Sequence, residues 1–313
     1  MIAKPVTRSY QGEEDFWRIR EFLREVFMLN ERRLLSWHVA RLDYARWHVY
    51  LNVDKVRPED VITLWELEGQ LVAVLLPDGG FGEAHFLVHP RHRNMALEEE
   101  MLAVAEERLA DRGPDGTREL VVWTPEQYRQ RRAFLEEQGY RPGKWIEHQW
   151  QRDLEEGIAE AAIPAGYDIR ALGTGLELLE RCYASGLAFH QGDIKTGVEN
   201  RDDPTWYQNI QSAPLYRRDL DLVAIGPSGA IAAFSTVWFD DVTRSAYFEP
   251  VGTVPAHQRK GLGRALLTEG LRRLQRMGAT RAFVCGYSEQ ANALYRGVMG
   301  SEPELYEMWL KRW

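Results

Sequence analysis

The chain has 313 residues, with 39 basic and 47 acidic side chains and a formal net charge of −8. At roughly 100–200 residues per domain, this length predicts two domains. The acidic balance argues against a general nucleic-acid binder and fits either a cationic partner or an acidic solvated surface. The two cysteines, Cys182 and Cys285, are far apart and lack metal-ligand spacing.

The opening segment, MIAKPVTRSYQGEEDFW, lacks the apolar core of a secretory signal. No segment of the sequence has the ~20 consecutive apolar residues of a membrane span. We therefore expect a cytoplasmic protein with reduced thiols, and neither a membrane nor nucleic acid as its partner.

The first half alternates between helical and strand patterns. EDFWRIREFLREVF is typical of a helix, and DVITLWELEGQLVAVLL is typical of a hairpin that turns near Gly69. The next predicted elements are a strand (AHFLVHP), a helix (LEEEMLAVAEERLADRG), a strand (RELVVWT) and a helix (EQYRQRRAFLEEQGY). The segment from Arg152 to Arg170 then interrupts the pattern with charge, alanine and Pro164. We place the boundary there, with one domain over residues 1–152 and the other over 164–313.

The second half repeats the same order of elements. A helix is predicted from Leu176 to Phe189, a hairpin from Asp221 to Phe239 and a strand from Arg244 to Val254. The next predicted elements are a leucine-rich helix that ends at Gly278, the strand TRAFVCGY and the helix SEQANALYRGVM. We interpret ELYEMWLKRW as a final strand that closes the second sheet. The order predicts an α/β protein made of two related domains.

A glycine-containing turn precedes the leucine-rich helix in VGTVPAHQRKGLGRALL. The first turn of a helix has unpaired N–H groups and the positive end of the dipole, so it binds anions readily. Gly261 and Gly263 would let an anion approach the backbone, and Arg259, Lys260 and Arg264 would add positive charge. The alternative is a tight strand–helix connection with surface cations. The P-loop and dinucleotide fingerprints do not match.

The run from Gln258 to Gly263, following a strand, resembles the Q/R-x-x-G-x-G/A signature of the GNAT superfamily of N-acetyltransferases. The resemblance covers Pro164–Trp313 and is most specific from Glu249 to Tyr295. It implies two tandem GNAT-like domains, each with a mixed, mostly antiparallel sheet flanked by helices. The tandem architecture resembles that of the mycothiol synthase type, in which one domain can be degenerate.

The resemblance also implies a site for acetyl-CoA, the acyl donor, with no metal. The loop amides would hold the pyrophosphate, and the preceding strand would pair with the pantetheine arm. Gly252 is interpreted as the bulge that separates the two central strands. The expected cofactor-binding residues are Val251, Gly252, Thr253, Gln258, Arg259, Lys260, Gly261, Leu262, Gly263, Arg264 and Asn292.

Two residues are candidates for proton transfer. By resemblance, Tyr295 falls at the tyrosine that donates a proton to the coenzyme A thiolate; the alternative is a core tyrosine. Glu249 shares a strand face with Tyr247 and Val251 and is the candidate base that takes a proton from the amine. The alternative for Glu249 is a salt-bridged or solvent-facing side chain.

Further candidates lie in the segment that lines the acceptor pocket in the resembled family. They are His190, Asp193, Trp206 and Tyr207, and the alternative for all of them is a polar surface loop with aromatic anchors. His85 and His89 share a strand face, but no cysteine lies nearby and a zinc site needs three or four ligands, so we expect no metal there.

The first half lacks the residues of the expected site. When Pro90 is aligned with Pro255, Ala96 replaces Gly261 and Glu98 replaces Gly263, while Leu135 replaces Tyr295 in the last helix. A carboxylate at a helix start suits the dipole but repels a diphosphate. The first domain is therefore expected to keep the fold without the cofactor site.

We expect an N-acetyltransferase that moves acetyl directly from acetyl-CoA to an amine of a small molecule or peptide. Two alternatives remain: the enzyme transfers a different acyl group, or the protein is a noncatalytic acyl-CoA sensor or interaction module. The expected state is a monomer or a homodimer.

Overall fold

The computed structural model describes residues 4–313, so the first three residues of the opening segment lie outside the described residues. Contacts divide the chain into two units. The first unit runs to Gln149 and also includes Glu304–Trp313, and the second is Trp150–Pro303. Each unit has a mixed sheet with helices packed on it. Within residues 4–313, no helix combines the length and apolar character needed to cross a membrane.

The first unit is built on a sheet of mostly antiparallel strands. Its strands are β1 (Val6–Ser9), β2 (Thr63–Leu67), β3 (Gln70–Leu76), β4 (Glu83–Val88), β5 (Asp111–Arg112), β6 (Arg118–Pro125), β7 (Arg141–Asp153) and β13 (Glu304–Arg312). The order is β1-β2-β3-β4-β6-β13-β7, with β5 paired to β6, and β4 and β6 are parallel. Its helices are α1 (Glu13–Leu29), α2 (Val39–Tyr44), α3 (Pro58–Val61), α4 (Met95–Arg108) and α5 (Arg129–Glu137), with a π-helical segment at Ala45–Val53.

The strand β13 lies between β6 and β7. Trp309 pairs with Val122 of β6 on one side and with Pro142 of β7 on the other. The expectation that this segment closes the second sheet is therefore wrong. Its strand character follows from local sequence, whereas its partners are set by long-range packing of residues such as Tyr306, which is buried.

The second unit repeats the arrangement of strands and helices. Its strands are β8 (Asp168–Ala171), β9 (Asp221–Ile225), β10 (Ile231–Asp240), β11 (Ser245–Thr253) and β12 (Arg281–Gly286). The sheet order is β12-β11-β10-β9-β8, and only β11 and β12 are parallel. Its helices are α6 (Leu176–Phe189), α7 (Ile194–Asp202), α8 (Thr205–Gln211), α9 (Leu262–Arg276) and α10 (Glu289–Met299).

The helix α9 packs on the central strands of this sheet. Leu267 and Leu271 lie in one core cluster with Val237 and Phe248, and each fully buried side chain of this kind contributes about 1.5–3 kcal/mol. Gly270 allows the close approach, since a Cβ there would lie 2.6 Å from Cε1 of Phe248. The predicted helix, with its end at Gly278, is confirmed: that glycine has φ +83° directly after the helix.

Candidate active site

The strands β11 and β12 pair over only part of their lengths. Their parallel register ends at Phe248 and Val284, whereas β11 continues to Thr253 and β12 to Gly286. After Phe248, β11 no longer pairs with β12. The backbone N–H and C=O groups on that edge of β11 therefore require another partner. The separation creates a place for an extended molecule to pair with β11.

A bulge in β11 lies at the point of separation. The register of β10 against β11 shifts, so that Glu249 and Pro250 together lie opposite Thr236. Proline has no N–H for a strand ladder and is confined to edges and bulges. The expectation that Gly252 marks the bulge is wrong, because Gly252 pairs in register with Phe234. Pro250 was the signal in the sequence that could have located it.

Gly252 is required for a different reason. A Cβ at this position would lie 2.7 Å from Cε2 of Phe234, closer than real contacts allow. The ring of Phe234 therefore packs directly over the backbone of β11. This contact fixes the position of the strand segment Val251–Thr253, which was expected to pair with the pantetheine arm.

The helix α9 begins with an open turn. Its N-cap is Gly261 in the left-handed region (φ +84°), and a Cβ there would meet no atom within 4 Å. The amides of Leu262, Gly263 and Arg264 form the first turn, where no acceptor exists within the helix. Gly263 instead provides close packing, with Cδ2 of Leu294 2.9 Å from its Cβ position. The amides and the dipole make this turn suitable for an anion.

The cations expected around this turn are held by specific contacts. Lys260 Nζ donates to the Tyr167 hydroxyl at 3.1 Å and to the Ala256 carbonyl at 3.2 Å. Arg264 Nη1 donates to the carbonyl oxygen of Gly297 at 2.6 Å. Lys260 uses two N–H groups in these contacts and Arg264 uses one, and the contacts keep both charges near the start of α9.

The remaining loop residues are Gln258 and Arg259. Gln258 Nε2 donates to the Thr253 carbonyl at 3.2 Å, which ties the loop to the end of β11. Arg259 is exposed and has φ +62°, a left-handed conformation that is uncommon for residues other than glycine. The loop thus turns sharply just before α9 and leaves the guanidinium of Arg259 in solvent.

Tyr295 lies on α10 close to the separation of the strands. It is 7% exposed, and its ring lies beside Gly286, where a Cβ would be 3.1 Å from Cδ2 and Cε2 of the ring. Burial raises the pKa of Tyr295, and the nearby Cys285 and Glu249 raise this pKa further. The hydroxyl therefore keeps its proton in neutral solution and can act as a donor.

Glu249 and Asn292 complete this end of the site. Glu249 is half-buried in the bulge, and its carbonyl oxygen accepts a hydrogen bond from Trp238 Nε1 at 2.5 Å. The side-chain oxygen of Asn292 accepts from Trp150 Nε1 at 2.9 Å. Trp150 was not anticipated from the sequence. The expected contact of Asn292 with the cofactor stays a prediction.

Of the acceptor candidates, Trp206 and Tyr207 lie on α8, whereas His190 and Asp193 lie in the short turn between α6 and α7. Asp193 caps α7 by accepting from the amides of Lys195 and Thr196. Tyr207 is fully buried on α8 and donates to Asp221 at 2.7 Å, so its hydroxyl has a structural role and the expected substrate contact is wrong. His190 ends α6, and Trp206 is partly buried against Tyr207. Their contact with an acceptor stays a prediction.

The first unit has a salt bridge at the corresponding place. The carboxylate of Glu98, near the start of α4, accepts two hydrogen bonds of 2.9 Å from Arg131 of α5. Arg131 also donates to the carbonyl oxygen of Phe86 at 3.3 Å, one residue beyond the last pair of β4 with β6, His85 with Trp123. Arg131 thus fills the space where these two strands separate. The sequence comparison identified Glu98 but missed Arg131.

Two further features differ between the units. Asn94 caps α4 by accepting from the amide of Leu97, so the helix starts at Met95 and Ala96 is helical. In addition, β4 pairs with β3 without a shift in register, so it has no bulge comparable to that at Pro250. The first unit therefore has no open glycine turn at its helix start.

The histidines of the first unit have structural contacts. The ring of His85 accepts from Trp37 Nε1 at 3.2 Å, and burial lowers the pKa of His85 to about 3. His89 caps a short 3-10 turn by accepting from the amide of Arg91. Among residues 4–313, no three His, Cys, Asp or Glu side chains are grouped so as to hold a metal ion.

Comparison with known proteins agrees with this geometry. Residues 188–300 match the model of the acetyltransferase (GNAT) family. A mycothiol acetyltransferase of Arthrobacter sp. (strain FB24) is 28% identical over 80% of this chain and 76% of its own length. One from Pseudarthrobacter chlorophenolicus is 25% identical over 76% of this chain and 72% of its own length. These relatives are enzymes by name, so a noncatalytic sensor is not favoured.

Solved structures share the fold over the whole chain. A GCN5-related N-acetyltransferase from Sphaerobacter thermophilus has a TM-score of 0.63 at 17% identity, covering 98% of this chain and 95% of its own. A tandem GNAT protein from the clavulanic acid biosynthesis pathway has a TM-score of 0.63 at 15% identity, covering 99% and 98%. Together with the family match over residues 188–300, these likenesses support a tandem GNAT N-acetyltransferase, that is, an acyl-CoA-dependent enzyme that acetylates an amine.

Proposed function

We propose that the second unit holds one acetyl-CoA per chain and that its acetyl group passes directly to the amine of a small molecule or peptide. GNAT acetyltransferases use acetyl-CoA. The observation that carries the proposal is the open turn at Gly261 beside the separation of β11 and β12 after Phe248. The turn suits the diphosphate, and the free edge of β11 suits the extended arm.

The charges around this turn support the same assignment. Arg259, Lys260 and Arg264 lie at the start of α9, where the dipole is also positive. A diphosphate carries enough negative charge to use both the amides and the cations. Gln258, which holds the loop to Thr253, keeps this turn next to the end of β11.

Two side chains carry the proposed proton transfers. Glu249 takes a proton from the attacking amine, and the buried hydroxyl of Tyr295 gives a proton to the departing thiolate. Both lie where the strands separate, and the influence of Glu249 on the pKa of Tyr295 supports their closeness. Backbone N–H groups on the free edge of β11 donate to the thioester oxygen as it gains charge. These steps use protein groups alone.

The first unit is proposed to lack a cofactor site. The Glu98 carboxylate near the start of α4 would repel a diphosphate, and its buried partner Arg131 occupies the separation of β4 from β6. Leu135, at the position aligned with Tyr295, has no proton to give. This unit is proposed to be a structural partner on the same chain.

The acceptor is proposed to be an amine related to mycothiol, following the name that the relatives carry. An amine of this class is therefore the first acceptor to assay, beside a panel of small primary amines and peptide N-termini. Release of the coenzyme A thiol reports turnover. Propionyl- and butyryl-CoA, tested at the same concentration, establish whether acetyl is the preferred group.

Calorimetric titration with acetyl-CoA tests the site itself. We expect one site per chain in the native protein and no binding in Gly261→Glu, because the added carboxylate lies at the turn. The matched control is Ala96→Glu, the same residue type introduced at the aligned, exposed position of α4. It should leave stoichiometry and affinity unchanged. Two sites per chain would contradict the assignment of the first unit, and no binding would contradict the proposal.

A further inference from the structure

We propose that Arg181 binds a carboxylate in the second unit, where α6 packs on β10 and β11. This carboxylate belongs either to the acceptor or to a separate small acid bound beside the acceptor. The first of these sources rests on the proposed function, because it requires an acceptor amine at Glu249. Arg181 takes no part in the proposed proton transfers or in the diphosphate site.

The guanidinium of Arg181 is buried without a hydrogen-bond partner. Arg181 is 0% exposed, and within residues 4–313 its Nε, Nη1 and Nη2 atoms have no hydrogen-bond partner. An arginine keeps its charge at every ordinary pH, so it cannot avoid the cost of burial by losing a proton. A buried charge without hydrogen bonds is strongly unfavourable, and a bound group with acceptor oxygens removes this cost. The side chain therefore points to a ligand.

Two aromatic rings lie against the guanidinium. Its Cζ atom is 3.5 Å from the ring centroid of Phe234 and 4.6 Å from that of Tyr207. Such contacts attract the cation, but the rings provide no lone pairs for its N–H groups. These N–H groups lie in one plane and match the two oxygens of a carboxylate. The chemistry therefore favours a carboxylate over a single carbonyl oxygen.

The buried carboxylate of Asp221 does not serve as this partner. It accepts three hydroxyl hydrogen bonds, from Tyr207 at 2.7 Å, Tyr216 at 2.8 Å and Thr236 at 3.3 Å. Tyr207 lies between the two charges, since its ring contacts Arg181 and its hydroxyl bonds to Asp221. Opposite charges at this separation offset each other in part. The N–H donors of Arg181 still have no acceptor, and a ligand can use them.

The ring of Phe234 connects Arg181 to the strand that carries Glu249. The same ring packs over Gly252, where a Cβ would lie 2.7 Å from its Cε2 atom. Glu249 lies three residues before Gly252 in β11, a span on the order of 10 Å at the rise of a strand. An acceptor with its amine at Glu249 can therefore extend along β11 and place a carboxylate at Arg181. Peptides of up to three residues have this length.

The face of α6 that includes Arg181 reaches solvent at the end of the helix. Arg181, Ser185 and Phe189 are spaced by four residues and lie on one side of α6. Ser185 is 5% exposed, whereas Phe189 is 53% exposed. The ring of Phe189 lies 5.8 Å from that of Phe234, so both ends of this face contact the same ring. Entry beside Phe189 gives a ligand a route to Arg181.

Thermal unfolding of the full chain tests the carboxylate site without acetyl-CoA. Propionate and benzoate should raise the Tm of the native protein by about 2 °C or more, whereas propionamide, benzamide and sodium chloride at equal ionic strength should not. Arg181→Met should show no such rise. Arg181→Lys, which keeps the charge but not the paired donors, should show a smaller one. The matched control is Arg170→Met at an exposed position of β8, which should respond as the native protein does.

Acetylation kinetics identify the source of the carboxylate. The acceptors are amino acids, dipeptides and tripeptides, each as the free acid and as the C-terminal amide. If the acceptor carries the carboxylate, kcat/KM should be at least about tenfold higher for the best free acid than for its amide, mainly through KM. Arg181→Met should remove this difference and leave the acetyl-CoA affinity unchanged. Equal rates for acid and amide, together with the rise in Tm, would identify a separate acid.

The inference is overturned if acids and amides have equal effects on the native Tm, or if Arg181→Met responds to the acids as the native protein does. A fall of about 10 °C or more in the Tm of unliganded Arg181→Met would also contradict it, because the guanidinium would then have a stabilising partner within the fold. If acetyl-CoA binds at one site and the acids have no effect, only this inference fails. If the acids raise the Tm and acetyl-CoA does not bind, only the proposed function fails.

Discussion

Glu98 and Arg131 form a fully buried ion pair in the first unit, with two hydrogen bonds of 2.9 Å and each residue about 2% exposed. The pair joins α4 to α5, and Arg131 extends it to the backbone of β4 at Phe86. Two charges with satisfied hydrogen bonds are tolerated in a core, whereas one alone is not. The first unit thus has a paired carboxylate near the start of α4, whereas the second unit has an open glycine turn at the start of α9.

Removing one member of this pair is expected to destabilise the protein strongly. Glu98→Ala leaves the Arg131 guanidinium buried without its partner, which costs about 3–5 kcal/mol in the free energy of unfolding. Urea unfolding followed by circular dichroism measures this change. The control is Glu98→Leu combined with Arg131→Met, which removes both charges and should recover most of the loss. A loss below about 1 kcal/mol in Glu98→Ala would contradict the structural role.

Gly252→Ala is expected to weaken acetyl-CoA binding. The new methyl group would collide with the ring of Phe234, so either the ring or β11 must shift. We expect at least a tenfold rise in the acetyl-CoA dissociation constant, measured by calorimetry, and partial recovery when Phe234→Leu is added. The control is Gly157→Ala, where a Cβ meets no atom within 4 Å. Unchanged affinity in Gly252→Ala would show that the cofactor does not depend on this strand.

Tyr295→Phe is expected to lower kcat while acetyl-CoA binding stays within a few-fold of native. The loss should be about 10²-fold, the lower end of what a general acid contributes. Steady-state kinetics with the best amine of the panel and calorimetry with acetyl-CoA measure the two quantities separately. Tyr140→Phe, which removes a buried hydroxyl bonded to Glu106 in the first unit, is the control and should leave kcat unchanged. Equal losses of binding and turnover would argue for packing instead.

Glu249→Gln should affect strongly basic amines most. Such amines are protonated at neutral pH and need a base, whereas an amine with a pKa near 7 is already half neutral. We expect kcat/KM to fall about 10²-fold for an alkyl amine and by a smaller factor for the weakly basic one. The exposed Glu302→Gln is the control for removal of a negative charge from this unit. The same loss for both amines would be inconsistent with a base.

Glu83 is expected to make stability depend on pH. Burial, aided by the nearby Asp78, raises the pKa of this carboxyl to about 7. Between about pH 4.5 and pH 7 the folded state holds a proton that the unfolded state has lost. The contribution of Glu83 to the free energy of unfolding is therefore fully present below about pH 4.5 and is lost as pH rises through 7. A shift of this size corresponds to about 3 kcal/mol.

The measurement compares native protein with Glu83→Gln by urea unfolding at pH 5 and pH 8. The variant should gain about 3 kcal/mol relative to the native protein as pH rises, because its amide does not ionise. Glu99→Gln, at an exposed position of α4, should have the same free energy of unfolding as the native protein at both pH 5 and pH 8. A difference between Glu83→Gln and the native protein that does not change with pH would contradict the raised pKa.

Local patterns allowed much of the second unit to be predicted. The helix from Leu176 to Phe189 and the hairpin from Asp221 to Phe239 are confirmed, because helical spacing and turn residues are properties of neighbouring positions. The alternative of a surface loop for the segment after Phe189 is wrong beyond Asp193, because α7 and α8 follow there. Asp193, whose carboxylate caps α7, was the sequence sign of a helix start there.

Long-range pairings could not be predicted in the same way. The Glu98–Arg131 pair joins residues 33 positions apart, and nothing in either helix alone specifies the other. The partners of β13 lie far away in the chain, at Val122 and Pro142. The sequence pattern of a strand predicts which side chains face each side of the sheet. It does not predict which strand lies next to it, because many other strands could pair with it equally well.

The placement of β13 determines the order in which the first unit can be completed during synthesis. Its neighbours β6 and β7 leave the ribosome before Trp150–Pro303 is made, and β13 follows that whole segment. Until then, the edges of β6 and β7 lack the strand that lies between them and can attract other chains. The first unit is thus the first to be synthesised and the last to be completed. A chain interrupted after β7 would have a first sheet that lacks β13 between β6 and β7.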